Sequence, residues 1–100
     1  MSDLIANDLN LFKASINSYT NAYNTLVKDF EEVQRLMKSL NGMWDGQAHD
    51  TLMSRFEQDR MKTQDMVNFM KEILANLNYA EAEYRKCENE VRNMIDSMKV

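Results

Sequence analysis

The side chains of this chain that can ligate a metal or act as a nucleophile do not combine into a site of known chemistry. The chain has one cysteine, Cys87, and one histidine, His49, whereas a structural zinc site needs about four such ligands. His49 also has no neighbouring nucleophile, which a hydrolytic triad requires. We expect His49 to be exposed in the first turn of a helix. We expect Cys87 to be a small buried side chain, with a reactive or interchain role as the alternative.

Four acidic residues near the C-terminus are candidates for a carboxylate metal site inside a helical bundle. They are Glu81, Glu83, Glu88 and Glu90. Such sites combine inward-facing glutamates with Glu-x-x-His motifs, and the sequence contains no such motif. It also contains no glycine-rich phosphate-binding loop. The sequence therefore predicts no catalytic residue, no metal site and no cofactor, and an enzyme is the least expected class of protein.

The charge balance and the hydropathy pattern exclude several further classes. The formal net charge is −4, whereas nucleic-acid binding requires a clustered basic surface, so nucleic acid is not expected as a partner. A small-molecule substrate is not expected either. The first residues lack the basic region and apolar run of a Sec-type signal peptide. No apolar stretch reaches the length of a membrane span. Composition alone predicts a cytoplasmic protein.

The positions of the helix-breaking residues predict two long segments joined by one turn. Proline is absent, and the two glycines, Gly42 and Gly46, stand close together near the middle of the 100 residues. The first segment has apolar residues at alternating spacings of three and four, which predicts a helix from about residue 7 to about residue 40. Its predicted seam consists of Leu9, Phe12, Ile16, Tyr19, Tyr23, Leu26, Phe30, Val33, Met37 and Leu40.

The second segment predicts a helix from about residue 47 to about residue 97, after a turn at residues 41–46. Gly42 is expected to end the first helix in the left-handed region, and Asp45 to cap or begin the second. Asp59 and Thr63 interrupt the second seam. The other positions of that seam are Leu52, Phe56, Met66, Met70, Ile73, Leu77, Ala80, Tyr84, Cys87, Val91, Met94 and Met98.

A hairpin of two helices has one interface and buries little apolar surface by itself. Further apolar residues lie beside both seams, which indicates a second packing partner. These residues are Leu11, Ala22, Val27, Leu36, Met61, Val67, Phe69, Leu74 and Ile95. The predicted fold class is therefore all-α: a helix-turn-helix hairpin of two long antiparallel helices that dimerises into a four-helix bundle.

The tripeptide Trp44-Asp45-Gly46 lies at the centre of the chain, in the predicted turn. With the length and the hairpin pattern, it makes the whole chain resemble the WXG-100 family of type VII secretion substrates. In this family a tyrosine followed four residues later by an acid serves in export, as Tyr84 and Glu88 would here. An extended form of the pattern adds hydrophobic residues, which correspond to Val91 and Ile95. On a helix these four residues form one stripe.

The resemblance implies a secreted protein that leaves the cell without a Sec signal peptide, after a period in the cytoplasm. It implies recognition by a membrane-bound ATPase, and a homodimer or a heterodimer with another WXG or a larger LXG-type protein. In an antiparallel dimer of hairpins, the Trp44 turn of one chain would lie near residues 84–95 of the other. We therefore hypothesise an export signal built from two chains.

Each of these motif residues also has an ordinary structural interpretation. Trp44 can cap the end of the bundle instead of, or besides, serving recognition. Gly46 can permit close approach of the two helices, rather than serving export. Tyr84 can be a core residue and Glu88 a solvated one. At the level of the whole protein, a cytoplasmic coiled-coil adaptor is the alternative, and a membrane-active helix would need a basic polar face that this acidic chain lacks.

Overall fold

The computed structural model describes residues 2–99, and the side chains of residues 6–99. It contains two helices, α1 at Ser2–Asn41 and α2 at Gln47–Met98. Helix α1 therefore starts about five residues earlier than the spacing of apolar residues predicts, since residues 2–6 contain no proline or glycine. The described part of the chain is helical apart from the short connection and its last residue, and it contains no strand.

The chain divides into two compact units, each built from one stretch of either helix. One unit comprises Met1–Asn21 and Glu72–Val100, and we call it the terminal unit. The other comprises Ala22–Lys71, and we call it the turn unit. In the turn unit the connection between the helices reverses the chain, so that its two helical stretches form an antiparallel hairpin.

The buried face of α1 follows the predicted spacing of three and four. Ile16 is 5% exposed in the terminal unit, and Phe30 is 9% exposed in the turn unit. Val33 departs from the predicted seam because it is exposed, whereas the neighbouring Gln34 is half-buried. The remaining predicted seam positions of α1 that are half-buried are Leu9, Phe12, Tyr19, Tyr23, Leu26 and Met37, while Leu40 is exposed.

Helix α2 packs in a different register from the predicted one. Its more buried residues again alternate at spacings of three and four. The observed seam shares Phe56, Thr63, Met70 and Leu77 with the predicted one, but its other residues from Met53 onward each lie one position after a predicted seam residue. Leu52, Asp59 and Met66 are therefore exposed, and Ala80, Cys87 and Met94 are exposed as well. The observed seam consists of His49, Met53, Phe56, Arg60, Thr63, Val67, Met70, Leu74, Leu77, Glu81 and Glu88. Beside it, Gln64 and the predicted seam residue Ile73 are also half-buried.

Charged residues on the observed seam are held by partners one helical turn away. Arg60 makes two hydrogen bonds to the Glu57 carboxylate, at 2.9 Å from Nε and 2.6 Å from Nη2. This pairing lowers the pKa of the Glu57 carboxyl group. The long apolar stem of an arginine can cover apolar surface while its charged end stays in water. The seam of α2 therefore tolerates Arg60 at a position where the sequence pattern would favour an apolar residue.

Ile16 and Leu11 differ in exposure and therefore predict different costs of truncation. Ile16→Ala should lower the free energy of unfolding by about 2–5 kcal/mol, because it removes buried methyl groups and leaves a cavity. Leu11 is 67% exposed, so Leu11→Ala should change it by less than about 0.5 kcal/mol in the isolated chain. Chemical denaturation followed by circular dichroism measures both values. Equal effects of the two substitutions would contradict the assignment of the buried face.

Candidate functional site

The end of α1 is tightened by two backbone hydrogen bonds of the 3-10 type, in which a nitrogen donates to the carbonyl group three residues earlier. The Gly42 nitrogen donates to the Ser39 carbonyl at 3.2 Å, and the Met43 nitrogen donates to the Leu40 carbonyl at 3.0 Å. Gly42 does not have a positive φ. The prediction that Gly42 ends α1 in the left-handed region is therefore wrong, since a tightened last turn satisfies the free carbonyl groups instead.

Gly46 is the glycine whose backbone conformation the turn requires. Its φ is +108°, and its carbonyl accepts a 3.0 Å hydrogen bond from the Asp50 nitrogen. Gly46 thus occupies the cap position of α2 that the sequence suggested for Asp45, and Asp50 is the acid of the first turn. A Cβ atom at Gly46 would meet no atom within 4 Å. The backbone conformation at position 46, and not close approach of the helices, therefore explains why this residue is a glycine.

Alanine substitutions at the two glycines should have opposite outcomes. Gly46→Ala should lower the free energy of unfolding by about 1–3 kcal/mol, because a side chain disfavours this backbone conformation. At Gly42 a Cβ would lie 3.6 Å from the Ser39 carbonyl oxygen, which is ordinary contact, so Gly42→Ala should be neutral or stabilising by up to about 1 kcal/mol. Thermal unfolding of the two variants measures this difference. A loss of stability in Gly42→Ala alone would contradict it.

Trp44 contacts the single histidine at the turn. The ring centroids of Trp44 and His49 lie 5.4 Å apart at an interplanar angle of 89°, which is an edge-to-face contact. Trp44 is 38% exposed, while the His49 side chain is 14% exposed. The prediction of an exposed His49 is therefore wrong, because the imidazole lies between the helix ends and the indole.

Tyr84, Glu88, Val91 and Ile95, which we call the Tyr84 stripe, lie on the part of α2 that belongs to the terminal unit. Tyr84 is 42% exposed, and Val91 and Ile95 are also exposed. The Tyr84 ring borders a shallow groove with Asp8, Phe12 and Ala80, so it has one side on the hairpin and one side open. An aromatic ring of this kind, held on one side and free on the other, suits recognition by another protein.

The acid of the stripe is withdrawn from the surface. The Glu88 side chain is 7% exposed, and its Oε1 accepts a 2.8 Å hydrogen bond from Nη2 of Arg92. Glu81, one heptad earlier, is buried and lies 3.7 Å from Nη1 of Arg85. The sequence carries a signal for both pairs that our predictions did not use, since each arginine stands four residues after its glutamate, the spacing of a helical ion pair.

Comparison with known proteins identifies the family from nearly the whole length of the chain. The model of the family described as proteins of 100 residues with WXG matches residues 5–99. The chain belongs to the WXG100 family. Members of this family are small, non-enzymatic proteins secreted in association with type VII systems, and they typically form dimers with related proteins. Neither the curated proteins nor the solved structures gave a match.

Two negative findings accompany the family assignment. Within residues 2–99, neither helix has a stretch long and apolar enough to cross a membrane. The same residues hold no group of three or more His, Cys, Asp or Glu side chains placed to bind a metal ion. Cys87 is exposed, so the prediction of a buried thiol is wrong, because the observed register turns position 88 inward instead.

The turn unit of this WXG100 protein has two shallow grooves along its helix pair. One, which we call the apolar groove, is lined by Leu26, Asp29, Phe30, Val33, Phe56, Asp59, Arg60 and Thr63. The other, the polar groove, is lined by Gln34, Met37, Lys38, Asn41, Met53, Phe56, Glu57 and Arg60. Asp59 and Glu57 stand about 200° apart around α2, so the two grooves lie on opposite sides of the pair.

Exposed apolar residues continue the apolar groove along both helices. Leu40 stands seven residues after Val33 on α1, and Leu52 and Met66 stand seven residues before and after Asp59 on α2. Residues seven apart share a helix face. All four of these apolar side chains are exposed in the single chain. We call them, with the groove, the apolar face. The register predicted for α2 is thus the register of this open face.

Proposed function

We propose that this protein is an export substrate, or a targeting partner, of a type VII secretion system, and that it acts by binding alone. The observation that carries the proposal is the conjunction of two features in a WXG100 chain. Trp44 and Gly46 form a defined turn, and Tyr84, Val91 and Ile95 leave apolar surface open along one helix. Neither feature supplies reactive chemistry, and both supply surface for a partner.

The Tyr84 stripe is proposed to engage the membrane-bound ATPase of the secretion system. Its exposed members would supply the contact area, and tyrosine is among the residues that dominate binding energies at interfaces. Glu88 is buried and held by Arg92, so we propose that in the free chain it supports the exposed residues of the stripe and is not itself part of the contact surface. Export would draw on a cytoplasmic pool of folded protein and would need no Sec signal peptide.

The apolar face is proposed to pack against a second helical hairpin in a four-helix bundle. In the single chain only Ile16, Phe30 and Val67 are buried among the described apolar side chains, which is a small core for 100 residues. A second hairpin would cover Val33, Leu40, Leu52 and Met66. That hairpin is either another copy of this chain or a WXG or LXG-type protein.

The export signal is proposed to be shared between the two chains of the dimer. The Trp44 turn of one chain would act with the Tyr84 stripe of its partner. Mixed dimers with one Trp44→Ala chain and one unsubstituted chain test this idea. Intermediate export supports a shared signal, while unchanged export from dimers in which both chains carry Trp44→Ala would contradict it.

The test of the function is export from a Gram-positive host with an active type VII system. The chain should appear in the culture supernatant when the membrane ATPase is present and should remain inside the cells when the ATPase gene is deleted. A cytosolic marker enzyme, measured in the same fractions, controls for lysis. Retention of the chain in both strains would contradict the proposal and would favour a cytoplasmic coiled-coil adaptor.

A further inference from the structure

His49 joins the two helix ends at the turn through both of its ring nitrogens. Nε2 lies 2.6 Å from Oδ1 of Asn41, the last residue of α1. Nδ1 lies 2.9 Å from Oδ1 of Asp50 in the first turn of α2. The ring also makes the edge-to-face contact with Trp44. One side chain thus touches α1, α2 and the residue at the centre of the connection.

The His49 ring is therefore well placed to set the position of the Trp44 ring. Trp44 itself is not in a helix, so the hydrogen bonds of the helix ladders do not hold it. The imidazole is held at both nitrogens, and its edge-to-face contact transmits that restraint to the indole. Edge-to-face contacts of this kind favour one orientation of the two rings, and can thus bias the orientation of an exposed ring.

The charge state of the imidazole affects the strength of its hydrogen bonds to Asn41 and Asp50. A neutral imidazole has one N–H group, whereas the protonated ring has two, and the ring faces oxygen atoms on both sides. A hydrogen bond from the protonated ring to the Asp50 carboxylate is charge-assisted and therefore stronger than one from the neutral ring. The charged groups on the segments that meet here are Lys38 in the last turn of α1, Asp45 in the connection and Asp50. Of these, Asp50 is the one bonded to the ring.

We infer that His49 is a positioning residue for Trp44, and that protonation of its ring strengthens its two hydrogen bonds to Asn41 and Asp50. We call these three residues the clasp. The inference rests on the proposed function only in assigning Trp44 a role in export. The clasp belongs to the turn and is independent of the Tyr84 stripe. Gly46 and His49 would then act together: Gly46 sets the path of the connection, and His49 holds the indole against it.

Fluorescence tests the clasp directly, because the chain has one tryptophan and one histidine. A protonated imidazole in contact with an indole quenches its emission, so the emission of Trp44 should fall between about pH 8 and about pH 5, where histidine changes charge. The midpoint should match that of the His49 ring protons in NMR spectra. His49→Gln should remove the pH dependence, and Asn41→Ala should reduce it. Thr51→Ala, at an exposed residue of the same helical turn, should leave it unchanged.

Two fluorescence results would overturn the clasp. One is emission from the unsubstituted protein that does not change over this range. The other is a change that persists in His49→Gln, which would assign it to the carboxyl groups of Asp45 or Asp50. Circular dichroism at both ends of the pH range controls for loss of helix.

Export then tests whether the clasp serves the proposed function. Trp44→Ala and His49→Ala should lower export by the same factor, and the double variant should lower it no further, because the two residues act as one unit. Loss of export in Trp44→Ala with normal export in His49→Ala would overturn the positioning role. Normal export in both Trp44→Ala and Tyr84→Ala would count against the proposed function, while the fluorescence result would still decide the clasp.

Discussion

Replacing Tyr84 by alanine is expected to remove the chain from the culture supernatant while leaving it folded inside the cells. A tyrosine at the centre of an interface contributes about 2 kcal/mol or more to binding, which corresponds to roughly thirtyfold weaker binding of the secretion ATPase. Tyr84 is 42% exposed, so its truncation removes part of the contact with Phe12 and Ala80 but no fully buried side chain. The protein should therefore retain its helicity and its dimer, and lose export.

Tyr79 provides the matched control for this experiment. It is a tyrosine on the same helix, it is 70% exposed, and it lies outside the stripe of Tyr84, Glu88, Val91 and Ile95. Tyr79→Ala should be exported at the normal level. Quantitative immunodetection in supernatant and cell fractions measures both variants. Equal export of Tyr84→Ala and Tyr79→Ala would contradict the assignment of the stripe.

The second large effect is expected at the apolar face. Val33→Glu combined with Met66→Glu should convert a dimer into monomers at micromolar concentration. A two-fold symmetric dimer carries each substitution twice, and placing like charges together at an interface costs several kcal/mol. We expect the dissociation constant to rise at least about a hundredfold. Sedimentation velocity over a range of concentrations measures this change.

The control for the apolar face is a charge reversal in the polar groove. Lys38→Glu alters the charge by two units per chain, as the double glutamate variant does, but Lys38 lines the opposite side of the helix pair. The dimer should persist in Lys38→Glu with a nearly unchanged dissociation constant. Dissociation of the Lys38→Glu dimer, with no effect of the Val33 and Met66 substitutions, would place the dimer interface on the polar groove.

The sequence was sufficient to predict the two helices because their signals are long and consistent. Alternating apolar spacing runs through both segments, proline is absent, and the glycines occur together. The register of α2 was not predictable in the same way. Phe56, Thr63 and Met70 belong to both possible seams. Over residues 52–88 the predicted seam adds more apolar residues to them than the observed seam does, so the apolar pattern favoured the wrong register. Packing against α1, with ion pairs that shelter Arg60 and the seam glutamates, selects the observed seam.

The turn shows which details the sequence could not supply. Both glycines stand where a helix end is expected, but the positive φ falls at Gly46 because the last turn of α1 tightens before it. No motif around His49 in the sequence indicates that its side chain makes contacts. Its contact with Asn41 depends on how the connection folds, since eight residues separate the two.

The mass of the unsubstituted chain in solution, measured by light scattering at micromolar concentration, decides whether a second hairpin covers the apolar face. We expect a helical dimer of about twice the chain mass of 11.8 kDa. A poorly folded chain that becomes helical when a second WXG or LXG-type protein is added would assign the apolar face to that protein. A stable, fully helical monomer at 11.8 kDa would contradict the claim that the apolar face is covered by a second hairpin.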